Sequence, residues 1–222
     1  MQGYTQTSIF NDLLQKHVTK TGIVDYKSFK NDEAKLDSYI SYLEKNNPVS
    51  SWSDNKKKAF WINAYNAYTI KIILENFPIK SIMNIKQMGK TAWEIPFAKI
   101  GNKTYTLDYI EHKIIRKKFA DPRIHAGVNC ASRSCPKLRN ITFTEKNIET
   151  ELSHLMKDFI NDTSKNKISK NKIQISSIFD WFKGDFTKNG SLIDYINKYA
   201  DIEINPKAKI SYLKYDWTLN VK

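Results

Sequence analysis

Apolar residues return at helical spacing over residues 8–16 and again over residues 31–45, with Gly22 and Tyr26 in an irregular link between them; the pattern predicts two amphipathic helices. Ser53-Asp54 then caps a longer helix that runs to Phe77 and is stopped by Pro78. Ala59, Ile62, Ile70, Ile73 and Phe77 repeat every three or four positions along it, and its other sides are apolar too, which predicts a helix buried at the centre of the fold. Asn63 and Asn66 stand three residues apart on this helix, Asn66 in line with Ile62 and Ile70. Amides in a core helix must find partners, either by tying down a neighbouring loop or by positioning a substrate.

Gly101-Asn102 separates two short runs, residues 97–100 and 103–107, that read as a hairpin. Asp108 and Glu111 then give an acidic first turn to a helix expected to reach about residue 118, where Asp121-Pro122 breaks it. His112 and Arg116 lie one turn apart on it and share a face. Residues 124–129 are expected to be extended, and residues 131–134 to open a short helix whose N–H groups would sit beside Cys130. A helix over residues 144–160 turns Ile148, Leu152 and Leu155 inward and leaves His154 partly exposed. A hairpin around residues 168 and 173–175, an aromatic-rich helix over 176–186, a helix over 192–199 and an alternating edge strand over 210–219 complete the chain. With no linker, repeat or low-complexity tract, the expectation is one α+β domain over residues 1–222, predominantly helical with short antiparallel strands.

Twelve Tyr, eleven Phe and five Trp are ample for a packed core. No run approaches the ~20 apolar residues that cross a bilayer, and Met1-Gln-Gly-Tyr-Thr-Gln has neither the basic nor the apolar region of a signal peptide. A soluble protein is expected, exported only if a signal peptide once preceded this sequence. The net charge of +13 comes mostly from lysines spread among Asp and Glu, a solvated coat. Without a helix-turn-helix, zinc-finger or RNP signature, that charge argues against nucleic acid as a partner. The arginines are distributed differently. All four, Arg116, Arg123, Arg133 and Arg139, fall within 24 residues, where guanidinium groups either clamp an anionic substrate or brace a polar loop.

That arginine-rich stretch also holds both cysteines. Cys130-x4-Cys135 is not the usual C-x2-C zinc spacing and no second Cys/His pair follows it, so no metal or other cofactor is expected. A Cys130–Cys135 disulfide would need a tight backbone turn.

Six blocks in order resemble the domain-of-unknown-function 547 family: Phe60-Trp-Ile-Asn-Ala-Tyr-Asn-Ala-Tyr-Thr-Ile-Lys71, Leu107-Asp-Tyr-Ile-Glu-His112, Asp121-Pro-Arg-Ile-His-Ala-Gly-Val-Asn-Cys-Ala-Ser132, Ser134-Cys-Pro136, Trp181-Phe-Lys-Gly-Asp-Phe186 and Tyr215-Asp-Trp-Thr-Leu-Asn220. The resemblance covers most of the chain and carries no assigned activity. Its polar signature, Asn63, Asn66, Glu111, His112, Arg123, His125, Asn129, Cys130, Ser132, Asp185 and Asp216, holds more polar groups than core packing needs and implies a site or a polar network.

The leading expectation is a thiol-dependent hydrolase or acyl transferase of papain-like or transglutaminase-like character. Cys130 attacks an acyl carbon, His125 or His112 handles the proton, Asp216 or Glu111 orients the imidazole, and N–H groups after Cys130 hold the oxyanion. Direct contact of His125 with Cys130, five residues on, needs a bend near Gly127. Asn63, Asn66, Arg123, Asn129, Ser132 and Arg133 are the candidate substrate-binding residues, for an anionic or peptide-like substrate. Two other classes stay open: a non-catalytic module that binds an anionic ligand or protein, and a Cys130/Cys135 thiol-disulfide redox protein.

Overall fold

The computed structural model describes residues 6–222. Helix α1 (Gln6–His17) packs on α3 (Glu33–Lys45), with the short α2 (Tyr26–Lys30) between them in the chain. The Phe10 and Tyr39 rings stack at 4.7 Å across the first contact. Helix α4 (Asp54–Asn76) is the predicted central helix: Ser53 Oγ accepts from the Lys56 N–H at its start, and Pro78 follows its C-cap, Phe77. Nearly every side chain from Lys58 to Leu74 is buried, so the helix contacts protein on all sides.

Two hairpins follow. The first, β1 (Lys86–Gln87) with β2 (Lys90–Thr91), has no counterpart in the sequence reading. The second, β3 (Ala98–Ile100) with β4 (Lys103–Tyr105), turns at Gly101 and Asn102, both at positive φ, as its Gly-Asn pair predicts. The expected helix after Asp108 forms with an unusual opening: Tyr109–Ile115 is a π-helix, and only α5 (Arg116–Phe119) has ordinary α geometry. Residues 124–129 differ more sharply. Instead of a strand, Ile124–Gly127 forms a helical turn, α6, packed on α7 (Ile148–Asn161). A Cβ on Gly127 would come within 2.6 Å of Leu152 Cδ2, so α6 meets α7 closely enough that a larger residue there would have to displace the Leu152 side chain. Beyond Cys130 the chain is irregular, and Ala131 takes a φ of 60°, outside helical backbone.

The C-terminal third brings together β5 (Lys167–Ile168), β6 (Lys172–Ser176) and β7 (Lys209–Leu213) in the order β5-β6-β7. The β5–β6 pair is the expected antiparallel hairpin, but β6 and β7 run parallel, which corrects the all-antiparallel expectation. Helices α8 (Ile178–Trp181), α9 (Lys183–Phe186) and α10 (Leu192–Asn197) form the crossover that a parallel pair requires. The predicted strand over 210–219 stops at Leu213. Its continuation still alternates, with Tyr215 and Leu219 buried and Asp216 and Thr218 exposed, because it crosses the protein rather than joining the sheet. Leu219 bridges Ser132, Val221 bridges Val24, and the Arg133 N–H donates to the Thr218 carbonyl at 2.8 Å. The architecture is α+β, with helices around one core and short strands in small sheets. No helix among the described residues is long and apolar enough to cross a membrane.

Candidate functional site

The loop that carries Cys130 is shaped by buried amides. From α4, Asn66 donates to the Gly127 carbonyl and accepts from the Asn129 N–H, each at 2.9 Å. Asn129 then accepts from the Ala131 N–H through Oδ1 at 2.9 Å and donates to the Pro136 carbonyl at 2.8 Å, which pulls residues 129–136 into a tight turn. Asn63 makes the same kind of two-way bond with the backbone of Phe143. These three asparagines, candidates for substrate contact, therefore hold backbone in place: their amide groups are already partnered by groups that would otherwise be buried unpaired.

The arginines do not assemble into an anion clamp. Arg123 grips Asp121 through two bonds and also reaches Glu149 and Ser153, with Lys58 closing the cluster onto the same two carboxylates. Arg139 pairs with Glu151, and Arg116 with Asp185. Arg133 is exposed and faces a different surface depression, shared with lysines 137, 165, 167 and 214.

Both cysteines are free thiols, and their surroundings separate them chemically. Cys130 is partly exposed; its Sγ lies 3.2 Å from Ser132 Oγ and 3.3 Å from Tyr215 Oη, and those two hydroxyls are 3.0 Å apart. Cys135 is buried, and its sulfur accepts from the Cys130 N–H at 3.2 Å. Hydrogen bonding from the Cys135 thiol, then from Ser132 and Tyr215, outweighs burial and brings the Cys130 thiol down to about 7. Burial pushes Cys135 well above the ordinary thiol range, and the neighbouring Cys130 adds to it. The thiol at the cavity edge is thus the more acidic of the two, and the buried Cys135 stays protonated with its sulfur 3.8 Å from the Val128 carbonyl. The expected helix N-terminus has no part in this, and the Ala131 N–H, a candidate oxyanion donor, is taken by Asn129. Burial and the two sulfurs hold Tyr215 protonated, so it stays a donor. A Tyr215→Phe variant is expected to move the pH midpoint of Cys130 alkylation upward, since the thiolate loses one of its hydrogen bonds; iodoacetamide rates across pH measure the shift.

Neither imidazole is hydrogen-bonded to Cys130. On α6, His125 Nε2 lies 2.8 Å from Asp185 Oδ2, and its ring stacks on Phe182 at 4.2 Å. The same carboxylate oxygen accepts from Arg116 Nε at 2.7 Å. These two bonds, that from His125 the stronger, hold Asp185 well below the usual carboxylate range. Arg116 Nη1 also meets His112 Nδ1 at 3.0 Å, and a guanidinium can only donate, so that nitrogen accepts while Nε2 faces Asp108 at 3.2 Å. Both nitrogens of His112 are engaged. His125 is bonded through Nε2.

A cavity of about 360 Å³ joins Cys130, Cys135, His125, His112 and Glu111, with Val128, Ile178 and Phe182 among its apolar walls. Glu111 is buried there against the Tyr65 hydroxyl. Asp216 is absent from it: exposed on the far side of its extended segment, it accepts from the Thr218 N–H and touches neither imidazole. The carboxylate in contact with His125 is Asp185, and neither Asp216 nor Glu111 is hydrogen-bonded to an imidazole. Among the described residues no three His, Cys, Asp or Glu side chains stand close enough to hold a metal.

Residues 49–160 match the family described as "Protein of unknown function, DUF547". The chain belongs to this family. The DUF547 match takes in α4, both imidazoles of the cavity and the two cysteines, while Asp185 and Tyr215, which complete the surroundings of His125 and Cys130, come from beyond it. No curated protein and no solved structure matches the chain. Asp185 lay in the polar signature, but nothing in sequence order ties it to His125, 60 residues earlier. Tyr215 could have been found: in an alternating segment, the neighbour of an outward Asp216 points inward.

Proposed function

We propose that this DUF547 protein is a thiol acyl hydrolase or transferase that works through Cys130, His125 and Asp185. The observation that carries the reading is the placement of the two sulfurs: Cys130 sits in the cavity lining beside the Ser132 and Tyr215 hydroxyls, whose hydrogen bonds lower its thiol, while Cys135 is buried behind it. A thiol near 7 is about half ionised at neutral pH without a general base. The imidazole is then needed for the leaving group. In the first step the Cys130 thiolate forms a C–S bond to the acyl carbon while the bond to the leaving oxygen or nitrogen breaks. The protonated ring of His125, held by Asp185 through Nε2, delivers the Nδ1 proton to the departing atom. In the second step a water or another nucleophile attacks the thioester and gives its proton back to Nδ1, and the acyl product leaves with the free thiolate restored. Ser132 and Tyr215 are the hydroxyls beside the sulfur that can donate to the developing oxyanion.

This catalytic set supports papain-like chemistry. The fold is α+β, and Cys130 sits in a loop and not at the start of a helix.

Alkylation by iodoacetamide, mapped by peptide mass spectrometry, tests the reading. Labelling is expected on Cys130 with a midpoint near 7, the rate falling about tenfold per pH unit below it, and with Cys135 unlabelled. A burst of nitrophenol from p-nitrophenyl acetate, with an acetyl adduct on Cys130, would accompany it. An inert Cys130 at every pH moves the function to ligand recognition by the cavity. A loss of two hydrogens in the protein's mass without reductant replaces the reading with thiol-disulfide exchange.

A further inference from the structure

The lining of the cavity runs against the charge of the chain. The protein carries 36 Lys and Arg residues, yet none of them lines the space around Cys130. Glu94, Asp108 and Glu111 do. Among the described residues, none of these three carboxylates is ion-paired with a lysine or arginine. Asp108 faces His112, Glu94 accepts from the amide and hydroxyl of Thr91, and Glu111 meets the Tyr65 phenol. The nearest guanidinium, Arg116, is already neutralised by Asp185 behind His112.

The same cavity has an aromatic side of uncommon density. Trp93 meets Trp217 edge to face at 5.6 Å, Trp217 stacks on Trp181 at 5.8 Å, and Tyr215 packs against both at 4.5 and 4.8 Å. Trp181 is half exposed, so the cluster is not simply core. Indole and phenol faces carry negative potential, and together with carboxylates that lack a cationic partner they favour an ammonium or guanidinium ion over any neutral or anionic group. An anion entering this space would meet Glu94 and Asp108 at its exposed edge and Glu111 inside, with no Lys or Arg in the lining and only the charge of Lys90 reaching Glu94 from outside it.

We propose that the cavity selects acyl compounds bearing a fixed positive charge, such as a quaternary ammonium or the side chain of a lysine or arginine derivative. The inference rests on Cys130 being the nucleophile, and it replaces the anionic substrate suggested by the arginine cluster. It also makes a sign prediction that overall charge cannot mimic, because the field of a +13 protein attracts anions.

Three methanethiosulfonate reagents test it, each forming a mixed disulfide with the thiolate and releasing methanesulfinate: one with a trimethylammonium-ethyl group, one with a sulfonato-ethyl group and one with a neutral methyl group. Rates at Cys130 are divided by the rates of the same reagents with 2-mercaptoethanol. At low ionic strength the cationic reagent is expected to exceed the anionic one by at least about tenfold, and the ratio should shrink about threefold or more in a Glu94→Gln, Asp108→Asn double variant normalised to its own neutral-reagent rate. A ratio at or below one, or one that the double variant leaves unchanged, overturns the charge inference while leaving the nucleophile intact. A Cys130 that resists all three reagents overturns the nucleophile and this inference with it.

Discussion

An Asp185→Asn variant is expected to lose between about 10²- and 10⁴-fold in the rate of acylation of Cys130 by a p-nitroanilide, whose nitrogen must be protonated to leave, the range that a correctly held acid or base supplies. One oxygen of Asp185 receives both His125 Nε2 and Arg116 Nε, so an amide oxygen can occupy the same point without its charge. The geometry survives, and what disappears is the negative charge that stabilises a protonated His125 while Nδ1 delivers its proton. Cys130 alkylation should change far less, because the sulfur's own hydrogen bonds come from Ser132, Tyr215 and Cys135. A rate loss with alkylation preserved identifies Asp185 as a positioning residue for the acid; equal losses in both assays would place it in the scaffold instead. The carboxyl also contributes to stability with a definite sign. Its folded value is depressed, so the contribution is full above the ordinary carboxylate range and fades as the pH falls through the folded value, and the Asn variant should lack that acid-side component.

The second large effect concerns stability. Replacing Asn66 with Leu keeps roughly the volume and leaves the Gly127 carbonyl and the Asn129 N–H buried without a partner, at a cost of about 2–6 kcal/mol for the two groups together. Asn63→Leu strands the carbonyl and N–H of Phe143 in the same way and should cost a similar amount. Urea unfolding followed by tryptophan fluorescence measures both. The two variants should part company at the thiol: under native conditions Asn66→Leu is expected to raise the alkylation midpoint of Cys130, since the 129–136 turn loses its anchor, and Asn63→Leu to leave it in place. Equal effects on the thiol would mean that global loosening, not the loop, sets its acidity.

The central helix was readable because an apolar pattern running from Ala59 to Leu74 leaves little choice of environment, and its Ser cap and following Pro mark the ends. The β3–β4 hairpin was readable from a Gly-Asn pair that tolerates positive φ. Helix α6 was not, since four residues are too few for periodicity to declare itself; the Asp121-Pro122 pair that opens it looked only like the end of the preceding helix. The parallel pairing of β6 with β7 depends on a crossover of three short helices, a tertiary choice that alternation cannot encode. Within the site, Cys130 and His125 stood out because rare residue types cluster in one block. Their division of labour did not, because it depends on which of several carboxylates folds back onto which ring, and Asp185 reaches His125 only once α9 docks on α6.

The segment that holds Tyr215 against Cys130 has a consequence for how the protein is made. The phenol lies 85 residues downstream of the sulfur it activates, and Leu219 and Asn220 clip the same loop to the body, where Asn220 also meets Tyr26. A nascent chain that has emerged from the ribosome only as far as α7 already displays both cysteines without this hydroxyl. Until that segment docks, Cys130 lacks one of the hydrogen bonds that lower its thiol, while those of Cys135 and Ser132 come from its own loop.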